Sequence, residues 1–430
     1  MSSQARYIRN ELEPVEFATL GVGEQERVRR TLRQAIVDAI EFIETHHAQC
    51  KREHPGSCNI YKGTGGIAWA YMRLHAQASV IQLPYNIDVK QLLLRHADAC
   101  LTTFSPSPSR GIGFINTDAG GVVLALVLHQ LGLRPLSVSE LERYRSALAD
   151  MSLAFDKTDP EDEGMDAELF NGRAGFLHAL LLLKKHGVTV DSADIASKVQ
   201  RIIESGRAGA KAYPLRTPAG RLIWRWSASP HKVYLGAAHG ICGILSTVLQ
   251  APQDAWSPYA DELRQTIQCL LDFQRATDNG NLPSSIGSPR DELVQWCHGE
   301  TGLVLLLSLA RKVGLCVDIE HALAQAAECV WERGLLTKGP PSLCHGAAGN
   351  AYALLETDPG RALAMALHAA DWRQLEREGT LLRGDAPSSL MCGLAGAICL
   401  WADMLGVIEV FEADFRIVLP LVPFYEVERL

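Results

Sequence analysis

Residues 343–355 read LCHGAAGNAYALL: a cysteine and a histidine, two glycines three residues apart, then an apolar run. Its first four residues have a near-copy, WCHG, at Trp296–Gly299, 47 residues earlier. A single G-x-x-G ahead of an apolar helix is a loose packing motif, in which two glycines on one face let a neighbouring backbone come close. Here the motif recurs. KGTGGIAWAYMRL from Lys62, NTDAGGVVLALVL from Asn116, NGRAGFLHALLLL from Asn171 and HGICGILSTVL from His239 share it. So do HGETGLVLLLSLA from His298, HGAAGNAYALL from His345 and CGLAGAICLWADML from Cys392. Only the second copy departs, with Thr117 in place of the first glycine.

The second glycines, Gly66, Gly120, Gly175, Gly243, Gly302, Gly349 and Gly396, are 54, 55, 68, 59, 47 and 47 residues apart, room for a helical hairpin per repeat. The intervening segments, such as RVRRTLRQAIVDAIEFIETHH and ADELRQTIQCLLDFQRA, carry apolar residues at i, i+3, i+4 and i+7. Amphipathic helices thus alternate with nearly all-apolar ones, as outer and inner layers would require. Repeats that cannot bury their own inner face must stack on neighbours. Seven copies without a polar capping repeat predict an all-α fold, a double-layered α/α toroid, in a single domain spanning 1–430. Two long connections interrupt it: an acidic loop at 154–167 and a capping loop or hairpin insertion at about 205–234, turning around Pro218–Arg221.

In register, the residue before the first motif position reads Lys62, Asn116, Asn171, His239, His298, His345 and Cys392. One residue earlier it reads Tyr61, Ile115, Phe170, Ala238, Cys297, Cys344 and Met391. These positions share one end of the inner helices, and metal-competent side chains gather there in repeats four to seven. Cys297 and Cys344 should converge, with His345 adding an imidazole. Two thiolates and one histidine suit zinc with an open fourth position, because a structural zinc wants four protein ligands and paired C-x-x-C. The competing reading is two buried thiols of the ordinary kind. Cys392 is either a fourth ligand or a bystander. His298 is expected to point away from the metal, toward a substrate or a supporting hydrogen bond. His239, in AAHGICG, is placed to act as general acid or base.

Bulk properties exclude other classes. A net charge of −8, with no dense Lys/Arg patch, argues against nucleic acid. The start, MSSQARYIRNELEP, has no apolar signal core, and no apolar run reaches the roughly 20 residues of a membrane span, so a cytoplasmic protein is expected. Eleven scattered cysteines do not form a disulfide framework. A toroid hydrolase would want paired carboxylates on the rim, and the register offers none there.

At these residues the chain resembles the lanthionine synthetase C family, and within it the eukaryotic LanC-like proteins. The likeness runs through RYIRN, ELFNGRAGFLHALL, YLGAAHGICGIL, GNLPSSIGSPRDELVQWCHG, GLLTKGPPSLCHGAAGNAYALL and GLAGAICLWADML. It implies seven inner and seven outer helices, and one zinc ion held by Cys297, Cys344 and His345. It also implies thioether formation, the addition of a thiol (glutathione as co-substrate) to dehydroalanine or dehydrobutyrine in peptides or proteins. The family's active-site histidine matches His239, an acidic residue falls near Glu168, and glutathione-contacting basic residues match Arg6 and Lys338. His239 or His298 would supply the proton. The chain departs from the family at Pro340-Pro341, which lengthens the loop after Lys338, and at Cys392, where an acid is usual. The alternative is a non-catalytic glutathione- and zinc-binding regulatory or adaptor protein.

Overall fold

The computed structural model describes residues 6–53, 58–102, 104–107, 111–157, 166–213, 221–227, 229, 232–277, 280–288, 291–316, 319–382 and 384–412. Among them the regular structure is helical, with isolated β-bridges only. The helices are α1 (Val22–Glu53), α2 (Thr64–Ala76), α3 (Ala78–Ile81), α4 (Val89–Leu101), α5 (Ala119–Gln130) and α6 (Val138–Lys157). Next come α7 (Arg173–Lys185), α8 (Ser192–Ala212), α9 (Ile241–Leu249), α10 (Gln253–Trp256), α11 (Ala260–Arg275) and α12 (Glu300–Lys312). The last are α13 (Glu320–Arg333), α14 (Ala347–Leu355), α15 (Pro359–Ala370), α16 (Trp372–Arg377) and α17 (Leu394–Glu412).

The expected alternation is present. Helices α2, α5, α7, α9, α12, α14 and α17 follow the seven glycine motifs. Each position of α9 and α14 is buried, as is α5 from Ala119 to Leu128. The long helices before and after them bury one stripe: Val89, Leu93, Ala97 and Cys100 on α4, and Leu263, Ile267, Leu270 and Gln274 on α11. The chain forms two compact units, Met1–Thr103 with Ala327–Glu426, and Phe104–Ala326. In the first, α1 packs on α17, α2 on α4 and α14 on α15. In the second, α5 packs on α6, α7 on α8 and α9 on α12. No helix among the described residues is long and apolar enough to cross a membrane.

The glycines have one geometric cause. Before five of the seven inner helices the turn doubles back, so that the carbonyl six residues earlier fills the space a Cβ would need. At Gly66, Gly175, Gly243, Gly349 and Gly396 that Cβ would lie 2.2, 2.2, 1.8, 2.0 and 2.3 Å from the oxygens of Ile60, Leu169, Ala237, Leu343 and Leu390. The same turn caps the helix. Outer helices α4, α8 and α15 are capped by the side chains of Asp88, Asp191 and Asp358. Helices α7, α9 and α14 begin at glycines with no side chain to offer. Their first N–H groups instead donate to carbonyls seven residues back: Arg173 to Asp166 (2.9 Å), Ile241 to Tyr234 (3.1 Å) and Gly349 to Ser342 (3.2 Å). In the second repeat the Thr117 hydroxyl donates to the Gly113 carbonyl (2.7 Å) and accepts from Ala119 N (3.2 Å).

Equivalent turns are also stitched to one another. In the second unit Asn116 N donates to Phe170 O, Leu169 N to Ala238 O, and Ala238 N to Cys297 O. In the first, Cys344 N donates to Met391 O and Met391 N to Tyr61 O, bonding the last repeat to the first. Phe170, Ala238, Cys297, Cys344, Met391 and Tyr61 are residues the sequence register aligned.

The two interruptions differ from expectation. Helix α6 runs on to Lys157 and α8 to Ala212, so 154–157 and 205–212 are helical. Gly206 and Gly209 on α8 make room for chain packing on the helix. A Cβ at Gly206 would meet the Trp224 ring at 2.7 Å, and one at Gly209 the Ile223 carbonyl at 2.0 Å. Beyond it, 221–227 is extended with one bridge, Trp226 to Ser229, while Pro218–Gly220 lie outside the described residues.

Gly243→Ala should lower unfolding free energy by about 1–3 kcal/mol, the usual range for overpacking. Gly23→Ala on α1, where no atom lies within 4 Å of the new methyl, should raise it by roughly 0.5–1 kcal/mol. Urea denaturation of both variants checks the account, and equal effects would contradict it.

Candidate functional site

The turn before α7 places Glu168 almost fully out of solvent, where its carboxylate accepts from Phe170 N (2.8 Å) and Asn171 N (2.6 Å). The same carboxylate meets Nδ1 of His239 at 2.8 Å, from the turn before α9. Because the carboxylate only accepts, Nδ1 carries the hydrogen, and Nε2 is left as the nitrogen able to exchange a proton. Rings enclose the imidazole: Phe170 at 4.7 Å, Trp226 at 6.0 Å, Tyr234 at 6.0 Å and His298 at 6.5 Å between centroids. The Trp226 wall is tied down by Asp166, which accepts from Ser227 N (2.6 Å) and Oγ (3.0 Å). Burial raises the Asp166 carboxyl above its usual range despite those bonds.

His298 lies in a tight turn, Gln295 N donating to His298 O and His298 N to Gln295 O. Gly299 leaves that turn at φ +94°, a left-handed backbone that glycine adopts freely. The His298 ring faces Tyr234 at 5.5 Å, and burial, reinforced by nearby His239, pushes its imidazole down to about 4. It is therefore neutral at physiological pH.

Cys297 shares that turn, and Nε2 of Gln295 lies 3.1 Å from its Sγ. In the other unit, Cys344 Sγ lies 3.5 Å from the Tyr61 hydroxyl. Cys392 also contacts that hydroxyl, and its buried thiol is pushed up to about 12, with Cys344 adding to the effect and Tyr61, Lys62 and Lys338 opposing it. The described cysteines are free thiols. One group of side chains among the described residues can hold a metal ion: Cys297, Cys344 and His345, all buried, offer three ligand atoms within 4.8 Å of one another. Neither His298 nor Cys392 belongs to it.

The backbone at Arg6 runs alongside the segment that leads to Lys338. Thr337 N donates to Arg6 O (3.1 Å) and Ile8 N to Leu335 O (2.9 Å), so the exposed Arg6 runs beside the strand-like segment ending at exposed Lys338. Gly339, at φ +86°, then turns the chain toward Cys344.

Sequence reasoning did not single out Trp226, Tyr234 or Asp166, whose loops carry no period. Tyr61 stood in the register without a role, though an aromatic hydroxyl opposite two cysteines was a usable signal.

A family model, "Lanthionine synthetase C-like protein", matches residues 54–410. "Glutathione S-transferase LANCL1" of Danio rerio is 32% identical over 367 residues, 83% of this chain and 84% of that protein. "LanC-like protein GCL1" of Arabidopsis thaliana is 34% identical over 258 residues, 57% of each chain. Among solved structures, "Nisin cyclase" superposes with a TM-score of 0.53 at 15% identity, covering 88% of this chain and 94% of that one. At that identity the likeness shows the fold alone, and it agrees with an α/α toroid.

One buried acid near the turns gives a pH test. Glu300, the first residue of α12, accepts from Leu282 N (2.8 Å) and from the Gln274 amide. Burial raises its carboxyl from 4.5 to about 8, against the lowering effect of those bonds. A carboxyl raised on folding stabilises below its unfolded value, and that contribution is lost as pH rises through 8. Unfolding free energy should therefore fall between about pH 5 and 9, and Glu300→Gln, neutral throughout, should lack that component. Parallel pH curves for the two proteins would refute the assignment.

Proposed function

The chain belongs to the lanthionine synthetase C-like family, and from that premise we propose that it adds glutathione to dehydroalanine or dehydrobutyrine residues of peptides or proteins, using one zinc ion. The observation that carries this reading is the buried Cys297, Cys344 and His345 group. Its donor set fits zinc: two sulfurs and one imidazole nitrogen, a catalytic complement that leaves the fourth tetrahedral position for a substrate. Zinc bound there would supply the charge that keeps a thiol deprotonated at neutral pH. The name of the zebrafish relative, a glutathione S-transferase, supports glutathione as the thiol.

In the addition, a sulfur–carbon bond forms at the β-carbon and the carbon–carbon π bond breaks. Its electron pair moves to the α-carbon, which takes up a proton, so the thiol hydrogen is in effect transferred to carbon. His239 moves that proton through Nε2, while Glu168 fixes the ring by holding Nδ1–H. Ala238 N is bonded to Cys297 O, which sets His239 one residue from a backbone contact with a proposed ligand. His298, neutral at working pH, contacts the substrate rather than supplying charge. Arg6 and Lys338 draw the glutathione carboxylates.

His239→Asn should lower kcat for adduct formation by about 10²- to 10⁴-fold, the range for losing a general acid–base group, with zinc content and KM for glutathione unchanged. Lys338→Ala should instead raise that KM. The decisive assay follows the mass of the glutathione adduct on a dehydroalanine peptide. Zinc-loaded protein should form it and Cys344→Ala should not. No adduct from zinc-loaded protein would remove the enzyme reading, and glutathione binding without turnover would establish the regulatory alternative.

A further inference from the structure

Within the first unit a cavity of about 470 Å³ opens among Phe42, His46, Trp372, Leu382, Glu376 and Asp385, with Pro340 and Pro387 as its inner wall. Its rings form a cluster: Phe42 stacks on His46 at 4.1 Å and meets Trp372 edge-on at 5.4 Å. Trp372 is nearly fully buried, and its indole N–H has no acceptor among the described residues. That is an uncommon state for a buried donor.

The charge around the cavity is one-sided. Glu376 and Asp385 are exposed on its lining, and neither has an ion-pair partner among the described residues. The guanidinium of Arg373, over the Trp372 ring at 5.2 Å, is engaged by Glu41 (3.0 Å) and Asp38 (3.9 Å). His46 turns Nδ1 to its own helix, 2.8 Å from Phe42 O. Aromatic rings beside unneutralised carboxylates recognise organic cations. A lysine or arginine side chain of a peptide is such a cation.

The inner wall connects this cavity to the rim. Pro340 and Pro387 stand six residues before Gly346 and Gly393. Their carbonyls lie 3.0 and 2.4 Å from where Cβ atoms of those glycines would be. They belong to the turns that carry Cys344–His345 and Cys392.

We propose that this cavity is a specificity subsite for a lysine or arginine side chain of the peptide that the protein modifies. The proposal rests on the peptide-modifying reading above and narrows its substrate class to dehydrated peptides with a basic residue near the reactive one.

Binding is tested first without chemistry. Blocked pentapeptides with a central lysine or a central glutamate, lacking any dehydroamino acid, are titrated calorimetrically against the full chain with no glutathione present. The lysine peptide should bind and the glutamate peptide should not. The double variant Glu376→Gln, Asp385→Asn should weaken the lysine peptide about tenfold, as loss of two favourable charge contacts implies. Both positions are exposed, so circular dichroism and Tm should match the parent. Equal binding of the two peptides, no binding of either, or indifference to the double variant would overturn the subsite. With dehydroalanine included, the variant should raise KM for the lysine peptide only, leaving kcat unchanged. Absence of any adduct from the parent protein would count against the proposed reaction, while the calorimetry would still decide the subsite.

Discussion

A carbonyl oxygen placed where a Cβ would otherwise stand governs much of this structure. At five of the seven second glycines the oxygen six residues earlier lies within 2.3 Å of the ideal Cβ position. No side chain larger than hydrogen fits, and the doubled-back turn supplies the carbonyls that cap the next helix. The inner helices can then be apolar along nearly their whole length, because their exposed N–H groups need no polar side chain. The turns bond to one another through Ala238, Cys297, Met391 and Tyr61, so whatever stands beside the glycine is presented in fixed register. The chemistry of the rim is thus a by-product of helix capping: Cys297, Cys344, His345, His239 and Glu168 all lie in or next to such turns.

Identical turns produce unlike histidines. His239 and His298 occupy equivalent positions with rings 6.5 Å apart. His239 is held by a carboxylate that itself accepts two backbone N–H bonds, which sets its tautomer and its orientation. His298 has no such acid among the described residues, and burial lowers its imidazole to about 4. One position therefore suits proton transfer and the other substrate contact, although the sequence motif around each is nearly the same.

Periodicity explains what was legible. At five repeats the glycine recurs because geometry forbids a Cβ, so register, helix alternation and the aligned rim residues could all be read from spacing. The Cys297, Cys344 and His345 grouping followed from that register, and the structure gathers those atoms. Features without a period were not legible. Glu168 was reached only through family resemblance, since its value lies in contacts to Phe170 N, Asn171 N and His239 that spacing does not encode. The walls at Trp226 and Tyr234 come from non-repeating loops. The expected interruption from about 205 begins instead as helix, because Gly206 and Gly209 inside α8 leave room for Trp224 and the Ile223 carbonyl to press against it.

X-ray absorption at the zinc edge, on protein purified without chelator, tests the central claim most directly. The account predicts one zinc per chain with two sulfur ligands near 2.3 Å and lighter nitrogen or oxygen ligands near 2.0–2.1 Å. Glutathione should raise the sulfur count to three in the parent protein. A chain that binds no zinc, or a site with four sulfurs before glutathione is added, would contradict it.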